Sequence, residues 1–270
     1  MAANRSLSLD HITITDTTPW QLAEIAAATG CIGICPFLHS MAVLPAMPHY
    51  NLVTDPVARR MTRDALAADG LAVDLVYPFT MAGRTVVADF RPALEAAADL
   101  GAGLANILCY DRDPGRRIER LAELAELAGS YDIDLAIEFY PPSQVRTLAE
   151  ALATIDVLGR TNAGVTLDLL HIVRGGDVAE AMALLADPRI RIAQISDGPS
   201  SIAPGLGEWE AGMERLLPGK GSIDIAAFLK AMRPGLPVSV EVPQQLAMDA
   251  GVSRLERARH AVDATRRFLV

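Results

Sequence analysis

The sequence predicts an α/β fold, a (β/α)8 barrel of eight parallel strands. Three observations carry this expectation. Short apolar runs alternate with longer amphipathic runs along the whole chain. The alternation repeats eight times in 270 residues. The short runs are apolar on both faces, as expected of strands covered by helices. Eight strand–helix units in about 250 residues is the size of a closed barrel. An open doubly wound sheet is the competing arrangement, but no G-x-G-x-x-G follows the first strand and the even repeats favour closure. No linker, low-complexity tract or break in composition divides residues 1–270, which read as a single domain.

The elements follow in order. Leu7 to Thr15 reads as the first strand. Thr18 and Pro19 then supply an N-cap and a first-turn proline, WQLAEIAAAT forms the helix, and Gly30 ends it. Cys31 to Phe37 is the second strand, and Asp55-Pro56 opens a helix that Gly70 closes. Leu71 to Phe79 is the third strand, followed by a helix over Ala88 to Leu100. Leu104 to Tyr110 is the fourth, and Pro114 to Ala128 is a helix with Ile118, Leu121, Ala122 and Ala125 as its inner stripe. Asp134 to Tyr140 with the helix Arg146 to Leu158 makes the fifth unit, and Gly164 to Leu170 with Val178 to Ala186 the sixth. Ile190 to Ser196 is the seventh strand, separated by a long loop from the helix Ile223 to Met232. Val238 to Val242 is the eighth, and Val252 to Leu269 is the last helix.

Composition narrows the function classes. Hydrophobic residues make up 51% and aromatics only 5%, so the core is built of Ala, Leu, Val and Ile, which suits helices packed on a sheet. A net charge of -9 repels phosphate backbones and argues against a nucleic-acid partner. No run approaches the roughly 20 apolar residues that cross a bilayer, and MAANRSLSLDH lacks an apolar stretch of signal-peptide length. Cys31, Cys35 and Cys109 fit buried thiols of a reducing compartment rather than a metal or redox pattern. A cytoplasmic enzyme is expected.

Four strand runs in the second half each carry an oxygen-bearing side chain near their C-terminal end. These are Glu138 in IDLAIEF, Asp168 in AGVTLDLLH, Gln194 in IRIAQISD and Glu241 in PVSVEVP. A carboxylate or amide inside an apolar run is costly unless it is paired or bound to a cation. Barrel active sites lie at the C-terminal ends of the strands. The four groups are therefore expected to share one divalent metal ion, and their hard oxygen donors suit Mn2+, Mg2+ or a similar ion better than structural zinc. The plain alternative is that they are satisfied core polar groups or strand-end caps.

The segments AIEFYP, TLDLLH, AQISDGP, LPGKGSID and VSVEVP resemble those of the xylose isomerase-like TIM barrels, which include sugar-phosphate isomerases and epimerases and several dehydratases. In the first half only the strand–helix rhythm is similar. The resemblance implies a metal set of Glu138, Asp168, Gln194 and Glu241. Glutamine at the third position resembles the hydroxypyruvate isomerase branch, whereas ketose epimerases and many dehydratases carry histidine there. The resemblance also matches His171 to a histidine that contacts substrate near the metal.

Other candidates come from position alone. Arg146 could clamp a carboxylate or phosphate, or be solvated at a helix start. Lys220 could meet an anionic substrate, or be an exposed lysine. Asp197 either supports the site or caps the following loop, and Asp224 or Ser222 can cap the next helix. His49 and Tyr77 are the candidates from the early loops for a substrate-binding wall.

The expected chemistry is that of a metal-dependent isomerase or epimerase of a small hydroxy-carbonyl, sugar-like substrate, working through a metal-stabilised enediolate. Glu138 or Glu241 would serve as the base, with His171 beside them. A lyase, such as a dehydratase of the 3-dehydroshikimate or inosose type, is the first alternative, and a non-catalytic binding barrel the second. Five histidines are too few for the nuclease branch, which needs a histidine-rich trinuclear zinc cluster, and no G-x-S-x-G elbow marks a serine hydrolase. Related barrels form dimers and tetramers, and the sequence leaves the homo-oligomeric state open.

Overall fold

The computed structural model describes residues 5–176 and 178–269. Residues 1–4, which head the segment in which no leader is expected, lie outside the described residues. Nine parallel strands form a nearly closed barrel with helices around it. The strands are β1 (Leu7–Asp10), β2 (Gly33–Cys35), β3 (Ala72–Val73), β4 (Val76–Met81), β5 (Leu104–Cys109), β6 (Asp134–Glu138), β7 (Ala163–Asp168), β8 (Ile190–Ile195) and β9 (Val238–Val240). Their order is β3-β2-β1-β9-β8-β7-β6-β5-β4, so the two ends of the sheet are consecutive pieces of one stretch of chain. Among the described residues, no helix is long and apolar enough to cross a membrane.

The outer helices begin where the cap residues lie. Asp55 accepts backbone N–H bonds at the start of α2 (Pro56–Asp69), and Asp113 does so for α4 (Pro114–Gly129). Thr147 caps α5 (Leu148–Leu158), and Ser253 caps α11 (Arg254–Arg266). α1 (Pro19–Ala28) has the expected first-turn proline, and α3 (Arg91–Asp99) completes this outer set. The helices press Leu22, Leu66, Leu94, Leu121 and Leu152 onto the outer faces of the strands, forming the main core. A smaller core of Cys35, Leu75, Tyr77, Leu104, Ala136 and Ile192 is separate from it. These residues alternate with the outward-facing ones and fill the barrel interior.

Five expectations change in detail. The third strand, expected over 71–79, splits into β3 and β4. It does so because this stretch changes partners: Val73 pairs with Ile34 of β2, whereas Val76 pairs with Ala105 of β5. Tyr77 completes the seam, its N–H donating to Pro36 O at 3.1 Å and its carbonyl accepting from Leu38 N at 2.6 Å. The first strand stops at Asp10, whose carboxylate accepts from Ile12 N at 3.2 Å and turns the chain into a 3-10 helix over His11–Ile14. The strand expected over 164–170 stops at Asp168, which caps α6 (Leu169–Gly175) through Leu170 N and His171 N. His171 therefore stands in a helical first turn. The last helix, expected over 252–269, is α11, and an additional short helix, α10 (Gln245–Asp249), precedes it. The helix expected over 178–186 is α7 (Val178–Leu184).

The long connection after β8 holds a short helix that local periodicity did not signal, α8 (Gly207–Gly212), before α9 (Ile225–Ala231). Asp197 organises the rest of it. Its carboxylate accepts from the N–H groups of Gly198, Gly219, Gly221 and Ile223 at 2.8–3.1 Å. A Cβ at Gly221 would collide with this carboxylate and with Gly198 O, which is why the turn uses glycine. Asp224 caps α9 through Ala227 N at 3.0 Å. Replacing Asp197 by alanine removes the acceptor of four N–H groups, of which those of Gly198 and Ile223 are buried. Asp197→Ala is expected to lose about 2 kcal/mol or more of stability, measured by urea unfolding, and an unchanged midpoint would contradict the stapling role.

Candidate functional site

The strand register brings the polar groups to one mouth of the barrel. Glu138 pairs with Thr166, Asp168 with Gln194, and Gln194 with Ser239. Residues in register on parallel strands share a face, so these side chains point into the barrel together. Glu138, the last residue of β6, is held from below. Thr166 Oγ1 donates to Asn106 Oδ1 at 2.6 Å, and Asn106 Nδ2 donates to Glu138 Oε2.

The centre of the site is a buried ion-pair bridge. Arg215 Nη1 lies 2.8 Å from Asp168 Oδ2, and Arg215 Nη2 lies 2.8 Å from Glu241 Oε1. Further bonds run from Nε to Ala211 O and from Nη1 to Ser196 Oγ. The backbone fixes this arginine in place. Leu216 exchanges both backbone bonds with Asp197 beyond β8, and Arg215 N donates to Pro243 O beyond β9. The arginine is thus wedged between the continuations of two strands. Burial alone would lower the Arg215 pKa, but Asp168 and Glu241 raise it instead. Burial also opposes ionisation of Asp168, yet Arg215 and His171 outweigh it and hold that carboxyl below its ordinary range.

A second network sets the amide. Gln194 Nε2 donates to the Tyr77 hydroxyl at 2.8 Å, and Tyr77 donates to Asp10 Oδ2 at 2.7 Å. With its nitrogen taken, the Gln194 oxygen is left facing inward without a hydrogen-bond partner. Burial pushes Asp10 up to about 7, against the opposing bond from Tyr77. The Tyr77 hydroxyl is itself raised well above its usual value by burial and by Asp10.

His171 Nε2 sits 3.2 Å from Glu138 Oε1 and 3.4 Å from Asp168 Oδ2. Glu138, Asp168 and His171 each offer a ligand atom, all within 4.8 Å of one another, and all three residues are buried. Two further buried oxygens, Gln194 Oε1 and Glu241 Oε2, lack a partner. Burial pushes the Glu241 carboxyl well above its ordinary range despite Arg215. An orphaned, buried carboxylate oxygen beside other oxygen donors is an arrangement that a cation would satisfy. The donor set therefore fits a divalent ion.

Glu138, His171, Gln194, Glu241 and Tyr77 line a cavity of about 360 Å3, and Asp168 is joined to them through Arg215 and His171. His49, Arg146 and Lys220 do not line it. His49 faces Ser40, Arg146 bonds Ser143 O and Glu150, and Lys220 is exposed on the loop stapled by Asp197. Several lining residues escaped the sequence reading. Asp10 obeys the same rule as the four chosen groups, a carboxylate ending an apolar strand, and could have been found by it. Asn106 is likewise a polar residue inside the run LANILC. Arg215 lies in a loop with no periodicity and left no comparable signal.

Residues 21–268 match the sequence profile of the xylose isomerase-like TIM barrels. The chain belongs to that family. An inosose isomerase of Bacillus velezensis is 26% identical over 162 residues, 56% of this chain and 56% of the relative. The matched stretch thus spans little more than half the length of that curated relative. A crystal structure of IOLI protein with a bound zinc atom superposes with a TM-score of 0.77 at 19% identity, covering 98% of each chain. The D-allulose 3-epimerase of Methylomonas sp., solved with D-allulose, gives a TM-score of 0.70 at 16% identity, covering 98% of this chain and 97% of its own. At these identities the two structures speak for the fold.

Two predictions follow from the geometry. Arg215→Leu leaves Asp168 and Glu241 buried without their shared cation. It is expected to destabilise the metal-free protein by about 3–5 kcal/mol in urea unfolding, and added Mn2+ is expected to recover part of the loss. No destabilisation would mean the bridge contributes nothing. For Asp10, the folded pKa of about 7 lies above its ordinary value of 3.8. The folded state therefore holds the proton more tightly, and stability should fall as pH rises between these values. Asp10→Asn is expected to flatten that slope, and an identical slope in both proteins would contradict the burial argument.

Proposed function

We propose that the protein is a divalent-metal-dependent isomerase or epimerase of a small hydroxy-carbonyl compound. The observation that carries this reading is the pair of buried glutamates, Glu138 and Glu241, at one cavity with unsatisfied oxygens beside them. The names of the inosose isomerase relative and the D-allulose 3-epimerase fold neighbour are in line with it.

Glu138, Asp168, Gln194 and Glu241, with His171 adjacent, would hold the ion. When bound, it would supply Lewis-acid polarisation of the substrate carbonyl. The residues do the rest. Glu138 or Glu241 takes the proton from the hydroxyl-bearing carbon, and the C–H electron pair becomes the C=C bond of an enediol. The carbonyl oxygen gains a proton, so both oxygens of the enediol are hydroxyls, and the one that gives up its proton in the return step becomes the carbonyl oxygen of the product. Returning the proton to the adjacent carbon moves the carbonyl by one position, and returning it to the opposite face of the first carbon inverts that centre. Asn106 keeps the Glu138 carboxylate oriented, and Arg215 fixes Asp168 and Glu241.

The test is incubation with keto-sugars and cyclitols plus Mn2+ in deuterated water. A product of unchanged formula, apart from carbon-bound deuterium, is expected, and a chelator should abolish its formation. Glu138→Gln and Glu241→Gln should each lower the rate by about 100-fold or more with the fold intact by circular dichroism. A product lighter by one water would replace this reading with a dehydratase. Near-normal turnover by either variant would remove the two-glutamate mechanism.

A further inference from the structure

We propose that the substrate of this site is an uncharged hydroxy-ketone that carries an apolar group, aryl or branched alkyl, next to its reacting carbons. This rests on the isomerase reading and narrows its substrate class.

The first argument is charge. The cavity wall contains the carboxyl groups of Asp10, Glu138, Glu208 and Glu241. Its arginine, Arg215, is committed to Asp168 and Glu241, and His171 faces Glu138 and Asp168. Arg146 and Lys220, the cations that could greet an anion, do not line the cavity. A phosphate or carboxylate on the substrate would enter a wall rich in carboxyl groups with no uncommitted arginine or lysine to receive it.

The second argument is the division of the wall. Beside the polar groups at the strand ends, the same cavity is lined by the apolar side chains of Ile12, Phe37, Met41, Val43, Leu108 and Met213. They come from four stretches of the chain, and all are half-buried except Val43, which is 75% exposed. Scattered apolar residues on a surface need no explanation, but six converging on one opening form an apolar patch of the kind that marks a binding groove. Tyr110, Tyr140, Thr80 and Glu208 supply some polarity on the same wall. A substrate hydroxylated on every carbon would still set several hydroxyls against side chains that cannot bond them, and such mismatches cost affinity. An aryl or branched alkyl group would instead cover this patch while its hydroxy-ketone end reaches the glutamates.

The experiment compares three probes with the Mn2+-loaded protein in deuterated water. The first, 1-hydroxy-1-phenylpropan-2-one, is uncharged and aryl-bearing. Loss of its C1 proton gives the enediol, and protonation at C2 gives 2-hydroxy-1-phenylpropan-1-one, with no co-reactant. The second, D-fructose, is an uncharged polyol, and the third, 3-dehydroshikimate, is a carboxylate. The aryl probe is expected to show a kcat/KM for carbon-bound exchange at least about tenfold above that of D-fructose, with no calorimetric binding of 3-dehydroshikimate. Met41→Ser, at a half-buried position, and Val43→Ser, at an open one, should each raise the KM for the aryl probe by about fivefold or more, the second without shifting the melting temperature. Exchange of D-fructose equal to or faster than that of the aryl probe would overturn this inference and leave the isomerase reading standing. Binding of 3-dehydroshikimate, or an unchanged KM in both variants, would also overturn it. Absence of exchange with all probes, including the keto-sugars and cyclitols above, would overturn both readings together.

Discussion

The site is organised around one buried guanidinium. Arg215 lies between Asp168, the last residue of β7, and Glu241, which directly follows β9, and all three side chains are buried. Three charged groups out of water are tolerable only because each has a partner at hydrogen-bond distance. The arrangement is asymmetric. Arg215 satisfies one oxygen of Glu241 and leaves the other without a partner, and Tyr77 satisfies the nitrogen of Gln194 and leaves its oxygen free. The protein's own contacts thus hold the site in shape while reserving inward-facing oxygens for something that the chain does not supply.

Tyr77 links that site to the closure of the barrel. Its backbone joins the two ends of the sheet through Pro36 and Leu38, and its ring stacks on Phe37 with centroids 4.9 Å apart. Its hydroxyl sits between Asp10 and Gln194. A residue that completes the wall and also orients an inward-facing amide couples the shape of the barrel to the direction of a donor atom. The lower part of the barrel does similar work for Glu138 through Asn106 and Thr166. The second chain runs across β5, β6 and β7, whereas the first spans the barrel from β8 to β4 and β1, so both are anchored on strands.

Much of the fold is legible in the sequence because its signals are local. Asp55, Asp113 and Asp224 cap the helices they precede, Gly70 ends α2 with a positive φ, and the apolar runs become strands. The boundaries move where a polar side chain recruits nearby backbone. Asp10 and Asp168 both end their strands early by accepting N–H bonds from residues just ahead. The same local logic makes Glu138, Asp168, Gln194 and Glu241 visible as candidates, since a polar group in an apolar run needs a reason to be there. Asp10 and Asn106 carry the same signal more quietly, the first in a short strand and the second inside one.

The sequence by itself determined the alternation of strands with the main outer helices, several helix caps and the placement of oxygen-bearing side chains at strand ends, because periodicity and capping act over a few residues. Only the tertiary structure decided what those side chains meet. Arg215 reaches Asp168 from 47 residues away, and Gln194 reaches Tyr77 across 117. No periodicity encodes such pairings, since they exist only once the sheet has closed and the strand register has brought distant segments to one mouth. The exclusion of Arg146, Lys220 and His49 from the cavity wall has the same origin. All three lie in the connections that follow strands, and the direction in which each connection folds is set by contacts made elsewhere.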